Sequence, residues 1–190
     1  MSDYVGVDAA KHTFDIAKYL PNGKHKTKAK LANAIKGFEE FHAWLQKHVE
    51  PSALIVMEAT GIYHEALAEF LYNKGYRVCV VNPAQTKAHA KSDLQRVKTD
   101  KTDAKLIADF AKEKHEKLRL WEPEPLKYRQ VKAMVRRLND LQEMLQMERN
   151  RLDVSDDSVK ISIKSVISHI EKEIAETKKA LKKHIDDDPD

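Results

Sequence analysis

Four acidic residues stand at positions where their carboxylates could act together. Asp8 and Glu58 each close a short apolar segment that has the character of a buried strand. Asp100 and Asp103 lie three residues apart, where a helical pattern begins. Carboxylate oxygens that come together from strand ends and a helix are the ligands that Mg²⁺ and Mn²⁺ prefer. The pattern therefore favours metal-dependent phosphodiester chemistry.

Each of these acids also has an ordinary structural explanation. Asp8 could begin a turn, and Asp100 with Asp103 could form the capping box of a helix. Glu58 is harder to explain in this way, because glutamate is poor at strand ends and in turns. If two metal ions are bound, one carboxylate must bridge them, and Asp8 is the natural bridging ligand. The joint pattern, rather than any one residue, favours a functional site.

The first elements that would position these acids form an antiparallel meander. Its three strands are predicted over residues 3–8, 12–20 and 24–31, with a turn at Pro21-Asn22-Gly23. A helix follows, with Asn33 as its cap and an apolar stripe that runs from Ile35 to Leu45.

The next elements have the length of a right-handed parallel crossover. A buried strand over 53–58 leads to a helix that begins at the cap Thr60, carries Ile62 and stops at Gly75. A strand over 76–82 follows, residues 84–99 indicate no clear element, and a helix is predicted over about 102–114. The predicted fold is α/β, a mixed sheet with helices on its faces. Ligands of such sheets bind outside the carboxyl ends of the parallel strands, where Asp8 and Glu58 lie.

Composition narrows the class of protein. The 190 residues are 42% hydrophobic and 34% charged, which indicates one globular domain and long solvated helices. The single cysteine, Cys79, lies in an apolar segment, so an internal disulfide and a cysteine-based zinc site are excluded. Neither a signal peptide nor a membrane span is predicted, and a cytoplasmic setting is expected.

The net charge is +4, and basic residues concentrate over 87–105, which suits either a phosphate-attracting site or a solvated helix face.

The C-terminal third is predicted to be helical and to follow a linker at Trp121–Pro125. Apolar residues recur at alternating spacings of three and four from Val131 to Leu152, and the only polar residue in this seam is Glu148. A second seam runs from Ile163 to Leu181 after a helix cap at Ser155-Asp156-Asp157. The two helices could form an antiparallel hairpin within one chain, a dimerising coiled coil, or both. We favour a dimer, because two helices alone bury little surface.

Several segments, taken in order, resemble the DEDD transposases of the insertion-sequence one-ten family, which are related to the Piv and MooV site-specific DNA invertases. The similarity covers roughly residues 3–110. It is carried by Val5-Gly6-Val7-Asp8 with Lys11 and Asp15-Ile16-Ala17, by Met57-Glu58-Ala59-Thr60-Gly61, by Val80-Val81-Asn82-Pro83 and by Lys98-Thr99-Asp100-Lys101-Thr102-Asp103-Ala104.

The resemblance implies a RuvC-like, RNase H-type catalytic domain over residues 1–120 and a coiled-coil region over 126–186. Asp8, Glu58, Asp100 and Asp103 would be the catalytic tetrad and would bind Mg²⁺ or Mn²⁺. The expected function is DNA cleavage and strand transfer during transposition or site-specific recombination, with a structured guide RNA and a homodimer or higher homo-oligomer. The family continues into a C-terminal domain with a serine thought to be the nucleophile. Because this sequence ends at Asp190, we expect it to be inactive alone.

Basic residues near the acids are candidates for nucleic-acid contacts, and they are Lys11, Lys98, Lys101 and Lys105. A protein that acts on DNA in this way would be associated with the nucleoid in a bacterial or archaeal cytoplasm.

Two other functions fit the same residues. A stand-alone RuvC-like nuclease or Holliday-junction resolvase would use the same acids, whereas a non-catalytic nucleic-acid-binding module with a coiled coil would not need them. An actin- or hexokinase-like ATPase also has a first strand that ends in aspartate, but the glycine-rich phosphate loops of that fold are missing here.

Overall fold

The computed structural model describes residues 3–94 and 103–186, with the side chains of 90–94 left undescribed. The chain divides into two compact units, Met1–Pro123 and Glu124–Asp190. Asp100, Lys98 and Lys101 lie outside the described residues.

In the described part of the first unit, a five-stranded mixed sheet has the order β3-β2-β1-β4-β5. Its strands are β1 (Tyr4–Ala9), β2 (Thr13–Tyr19), β3 (His25–Ala32), β4 (Leu54–Glu58) and β5 (Arg77–Val81). The first three pair antiparallel as a meander, whereas β4 runs parallel to both β1 and β5. Gly23, with a φ of 76°, lies in the turn between β2 and β3 because its missing Cβ tolerates that backbone angle. The predicted α/β fold class is confirmed.

Helices cover the two faces of the sheet. They are α1 (Ile35–His48), α2 (Glu65–Asn73), α3 (Pro83–Leu94) and α4 (Asp103–Lys114). A short 3₁₀ turn, His115–Lys117, follows α4. The parallel strands are apolar on both sides because both of their faces are buried.

Side chains of each strand alternate between the two faces. Val7 of β1 and Met57 of β4 belong to the core that includes Phe41 of α1 and Leu71 of α2. Their neighbours Leu54 and Val56 pack instead with Ile107 and Phe110 of α4, and so does Cys79 of β5. Burial raises the pKa of the Cys79 thiol to about 11, in keeping with the predicted core position.

Two predicted helix starts are wrong. Asn33 does not cap α1. Its side-chain amide donates hydrogen bonds to the carbonyl oxygens of Ala10 (2.8 Å) and Tyr63 (2.9 Å), so it connects the turn after β1 with the turn before α2. Thr60 does not cap α2, which begins five residues later at Glu65 after a turn. Ile62, expected on the apolar face of that helix, lies in the turn and is exposed. Residues 84–94, which gave no clear prediction, are part of α3.

The second unit is a hairpin of two long helices, α5 (Leu126–Val154) and α6 (Asp157–Asp186), that pack against each other. The predicted seams form the contact: Leu138 and Leu141 of α5 are buried, as are Ile163 and Ile170 of α6. Asp156 caps α6 by accepting a hydrogen bond from the backbone N–H of Ser158 at 2.9 Å. The intrachain hairpin that the heptads allowed is thus present.

The hairpin gives a prediction with an internal control. Ile170 is 3% exposed in the seam, whereas Ile161 on the same helix is 84% exposed. We expect Ile170→Ala to lower the free energy of unfolding of the hairpin by about 2–4 kcal/mol, because a buried isoleucine is lost and a cavity forms. Ile161→Ala should change it by less than about 0.5 kcal/mol. Urea unfolding followed by circular dichroism measures both, and equal effects would contradict the predicted seam.

None of the helices within residues 3–94 and 103–186 combines the length and apolar character that crossing a membrane requires.

Candidate metal site

Two neighbouring parallel strands end side by side at the candidate site. The pairing between β1 and β4 ends at Val7 and Met57. Each of these residues is followed directly by an acid, Asp8 in β1 and Glu58 in β4. Asp8 shares its side of β1 with Gly6, and Glu58 shares its side of β4 with Val56. Strand alternation therefore places both carboxylates on the face of the sheet that α4 covers.

The third acid arrives at this face on α4, whose first residue is Asp103. The helix can approach the sheet closely because the residues on both sides of the contact are small: Ala104 and Ala108 of α4 pack on Ala17 of β2. A Cβ at Gly6 would lie 2.2 Å from the carbonyl oxygen of Ala104, so only glycine allows the observed separation.

Farther along α4, a side-chain hydrogen bond connects the helix to the meander. His25 Nε2 of β3 and Asp109 Oδ1 are 2.8 Å apart, and both side chains are largely buried. This contact, together with the close packing at Gly6, sets the position of Asp103 relative to the strand ends.

The electrostatics of Asp8 show that the acids influence one another. Burial is the largest cause that raises the pKa of Asp8 above its ordinary value, and the negative charges of Asp103, Glu58 and Asp15 raise it further. Asp15 is paired with Asp8 across the β1–β2 ladder, and it accepts a 2.7 Å hydrogen bond from the backbone N–H of Lys30. The folded chain thus concentrates negative charge at this end of the sheet, which costs stability unless a cation is bound.

Next to the strand ends lies a small cavity of about 80 Å³. It is lined by Glu58, Thr86, Lys87, Asp103 and Leu106. The Thr86 hydroxyl contacts Glu58 Oε1 directly. The cavity brings together carboxylates from β4 and α4, a hydroxyl and a lysine, so it offers oxygen ligands for a cation and a positive group for a phosphate.

The acids are neighbours but do not form a closed cage. Within residues 3–94 and 103–186, no three histidine, cysteine, aspartate or glutamate side chains are close enough together to hold a metal ion. The donor chemistry nevertheless fits Mg²⁺ or Mn²⁺, because the groups are carboxylates that repel one another and whose repulsion a divalent cation would relieve.

Among the predicted basic contacts, Lys11 is exposed in the turn between β1 and β2, at the same end of the sheet as Asp8. Lys105 is half-buried in the first turn of α4, two residues after Asp103.

Two features of the site were not predicted from the sequence. Periodicity does not indicate Thr86, because it lies in a polar segment; Pro83 after an apolar strand, which is typical of a helix start, is the signal that the sequence offers. The motif alone does not assign Gly6 a role, although a glycine inside a strand often marks a close backbone approach.

Two acids lie at the carboxyl ends of central parallel strands of the mixed sheet, and a further acid lies on a packed helix. This arrangement is that of RuvC-like α/β proteins. The chain belongs to the DEDD transposases of the insertion-sequence one-ten family: the family model, described as a transposase, matches residues 5–155. The family resemblance that the motifs carried is therefore confirmed.

Curated relatives agree with this membership. The chain is 34% identical over 150 residues to the pilin gene-inverting protein of Moraxella bovis and, with the same figures, to that of Moraxella lacunata. The aligned part covers 78% of this chain and 45% of each relative, so the chain spans less than half of the length of these proteins.

Proposed function

We propose that the first unit is the metal-binding catalytic domain of a DNA transposase or recombinase. Asp8, Glu58, Asp100 and Asp103 are its metal ligands and catalytic residues, and Mg²⁺ or Mn²⁺ is its cofactor. The observation that supports this proposal is geometric: Asp8 and Glu58 follow the paired residues Val7 and Met57 on the face of the sheet that α4 covers, and α4 begins at Asp103, which lines the same cavity as Glu58.

The chemistry follows from these groups. A divalent cation bound there would neutralise charge on the attacked phosphate and activate the attacking oxygen. The carboxylates would hold and orient the cation, and the negative charges of Glu58 and Asp103 both raise the pKa of Asp8. Lys11, Lys98, Lys101 and Lys105 contact the DNA backbone and counter the negative charge that the acids present to an incoming phosphate.

The substrate is DNA, and the reaction is strand cleavage and transfer during transposition or site-specific recombination. The name of the two Moraxella relatives, pilin gene-inverting protein, supports recombination as the class of reaction. The catalytic domain spans residues 1–120, and the helical region, 126–186, assembles two or more copies as a coiled coil. A structured guide RNA selects the target, and the protein acts on the nucleoid in the cytoplasm. Because the aligned part covers 45% of each curated relative, the complete reaction is proposed for the whole recombinase.

Isothermal titration of the 190-residue chain with Mn²⁺ tests the metal assignment. The double variant Asp8→Ala, Glu58→Ala should lose the binding that the unaltered chain shows. A matched control, Glu39→Ala with Glu40→Ala, removes the same number of negative charges from the surface of α1 and should bind Mn²⁺ normally. Equal Mn²⁺ binding by Asp8→Ala, Glu58→Ala and by the unaltered chain would contradict the proposed metal site.

Two nucleic-acid assays separate this function from the alternatives. Metal-dependent cleavage of branched DNA by this chain alone would favour a stand-alone resolvase. Recombination by the whole protein that survives replacement of the four acids would favour a non-catalytic binding module.

A further inference from the structure

Thr86 is a buried hydroxyl residue in the first turn of α3, and it lines the cavity of the candidate site. Its residue surface is 3% exposed, although threonine at a helix start usually remains in contact with water. Its Oγ1 atom contacts two acceptors, Glu58 Oε1 and the carbonyl oxygen of Pro83 at 3.0 Å.

The hydroxyl can donate to only one of these acceptors at a time, because it carries a single proton. An ionised Glu58 has only acceptor atoms, and a hydrogen bond to a carboxylate is stronger than one to a neutral carbonyl. The proton of Thr86 is therefore directed to Glu58, and the Pro83 carbonyl is the alternative acceptor. This contact engages one of the two carboxylate oxygens of Glu58.

Thr86 is well suited to hold that carboxylate still. Its β-branched side chain has few χ1 rotamers, and burial restricts it further. Glutamate, by contrast, has three rotatable bonds, and fixing them on cation binding costs conformational entropy. A rigid donor that fixes Glu58 beforehand reduces this cost. Groups that orient metal ligands in this way commonly change metal affinity by about 10–100-fold.

We propose that Thr86 is a positioning residue that fixes the carboxylate of Glu58 for divalent-cation binding through its hydroxyl hydrogen bond. The proposal rests on the proposed function, in which Glu58 is a metal ligand. A merely structural role would be different: the bond to Pro83 lies within one helical turn and stabilises α3 without any effect on the cation.

Three variants of the 190-residue chain, titrated calorimetrically with Mn²⁺, separate the two roles. Thr86→Val keeps the shape and removes the hydroxyl, and it should weaken Mn²⁺ binding by about 10–100-fold. Thr86→Ser keeps the hydroxyl and removes a methyl group, and it should bind within about threefold of the unaltered chain. Thr86→Ala provides a second hydroxyl-free variant if the valine variant does not fold, and it should resemble Thr86→Val.

Thermal unfolding of each variant without metal measures the structural contribution separately. Mn²⁺ affinity of Thr86→Val or Thr86→Ala equal to that of the unaltered chain would overturn the proposal. A serine variant that binds as weakly as the valine variant would also overturn it, because the methyl group would then be responsible. Asp8→Ala distinguishes failure of the metal site from failure of the positioning role of Thr86. Mn²⁺ binding that does not depend on Asp8 would contradict both. Mn²⁺ binding that depends on Asp8 but not on Thr86 would contradict only the role of Thr86.

Discussion

Asp8→Asn is expected to stabilise the metal-free protein while it abolishes the response to metal. Burial, and then the negative charges of Asp103, Glu58 and Asp15, raise the pKa of Asp8 above 3.8. A carboxyl with a higher pKa in the folded state binds protons more tightly there, so its contribution to stability falls as pH rises from about 3.8 through the folded pKa. Asparagine cannot ionise and avoids this loss.

Thermal unfolding in EDTA between pH 4 and pH 8 measures the first effect. The advantage of Asp8→Asn over the unaltered chain should be small at pH 4 and should grow as the pH rises. With Mn²⁺ present the order should reverse, because binding stabilises only the chain that has the ligand and the variant should bind at least about a hundredfold more weakly. Lower stability of the variant in EDTA at pH 7, or an equal Mn²⁺ response, would contradict the proposed role of Asp8.

Gly6→Ala is expected to be among the most damaging single changes in the first unit. The added Cβ would lie 2.2 Å from the carbonyl oxygen of Ala104 and 2.4 Å from the backbone nitrogen of Ala108, so α4 must move away from the sheet. Because both obstructing atoms are backbone, no side-chain rotation relieves the clash. The expected loss is about 3 kcal/mol in the free energy of unfolding, measured by urea denaturation.

A second glycine provides the control. Gly75 has a φ of +83°, but a Cβ there would meet nothing within 4 Å, so Gly75→Ala should cost only about 1 kcal/mol through backbone strain. Gly6→Ala should also weaken Mn²⁺ binding, since α4 carries Asp103, whereas Gly75→Ala should not. Similar stability and Mn²⁺ affinity for the two variants would show that close packing of α4 does not position the site.

Strong local patterns made much of the fold predictable. The turn at Pro21-Asn22-Gly23, the strand-like apolar segments that end in Asp8 and Glu58, and the heptad seams each specify an element with little help from distant residues. Period-2 alternation also brings Asp8 and Glu58 to one face once the strands are known to be parallel neighbours with Val7 opposite Met57.

Features that depend on tertiary contacts were not predictable in the same way. The side chain of Asn33 satisfies the carbonyl groups of Ala10 and Tyr63, two partners far from it in sequence, instead of capping the adjacent helix. α3 has no marked apolar face, so periodicity could not reveal it. The pairing of Thr86 with Glu58, 28 residues apart, likewise appears only when β5 and α3 bring the chain back to the end of β4.

The most direct test of the metal site is a crystal structure of this chain grown with Mn²⁺, with anomalous scattering used to locate the ion. We expect a manganese peak within about 2.5 Å of carboxylate oxygens from Asp8, Glu58 and Asp103. Well-ordered carboxylates at these three positions with no manganese between them, under conditions where Mn²⁺ is in excess, would contradict this expectation.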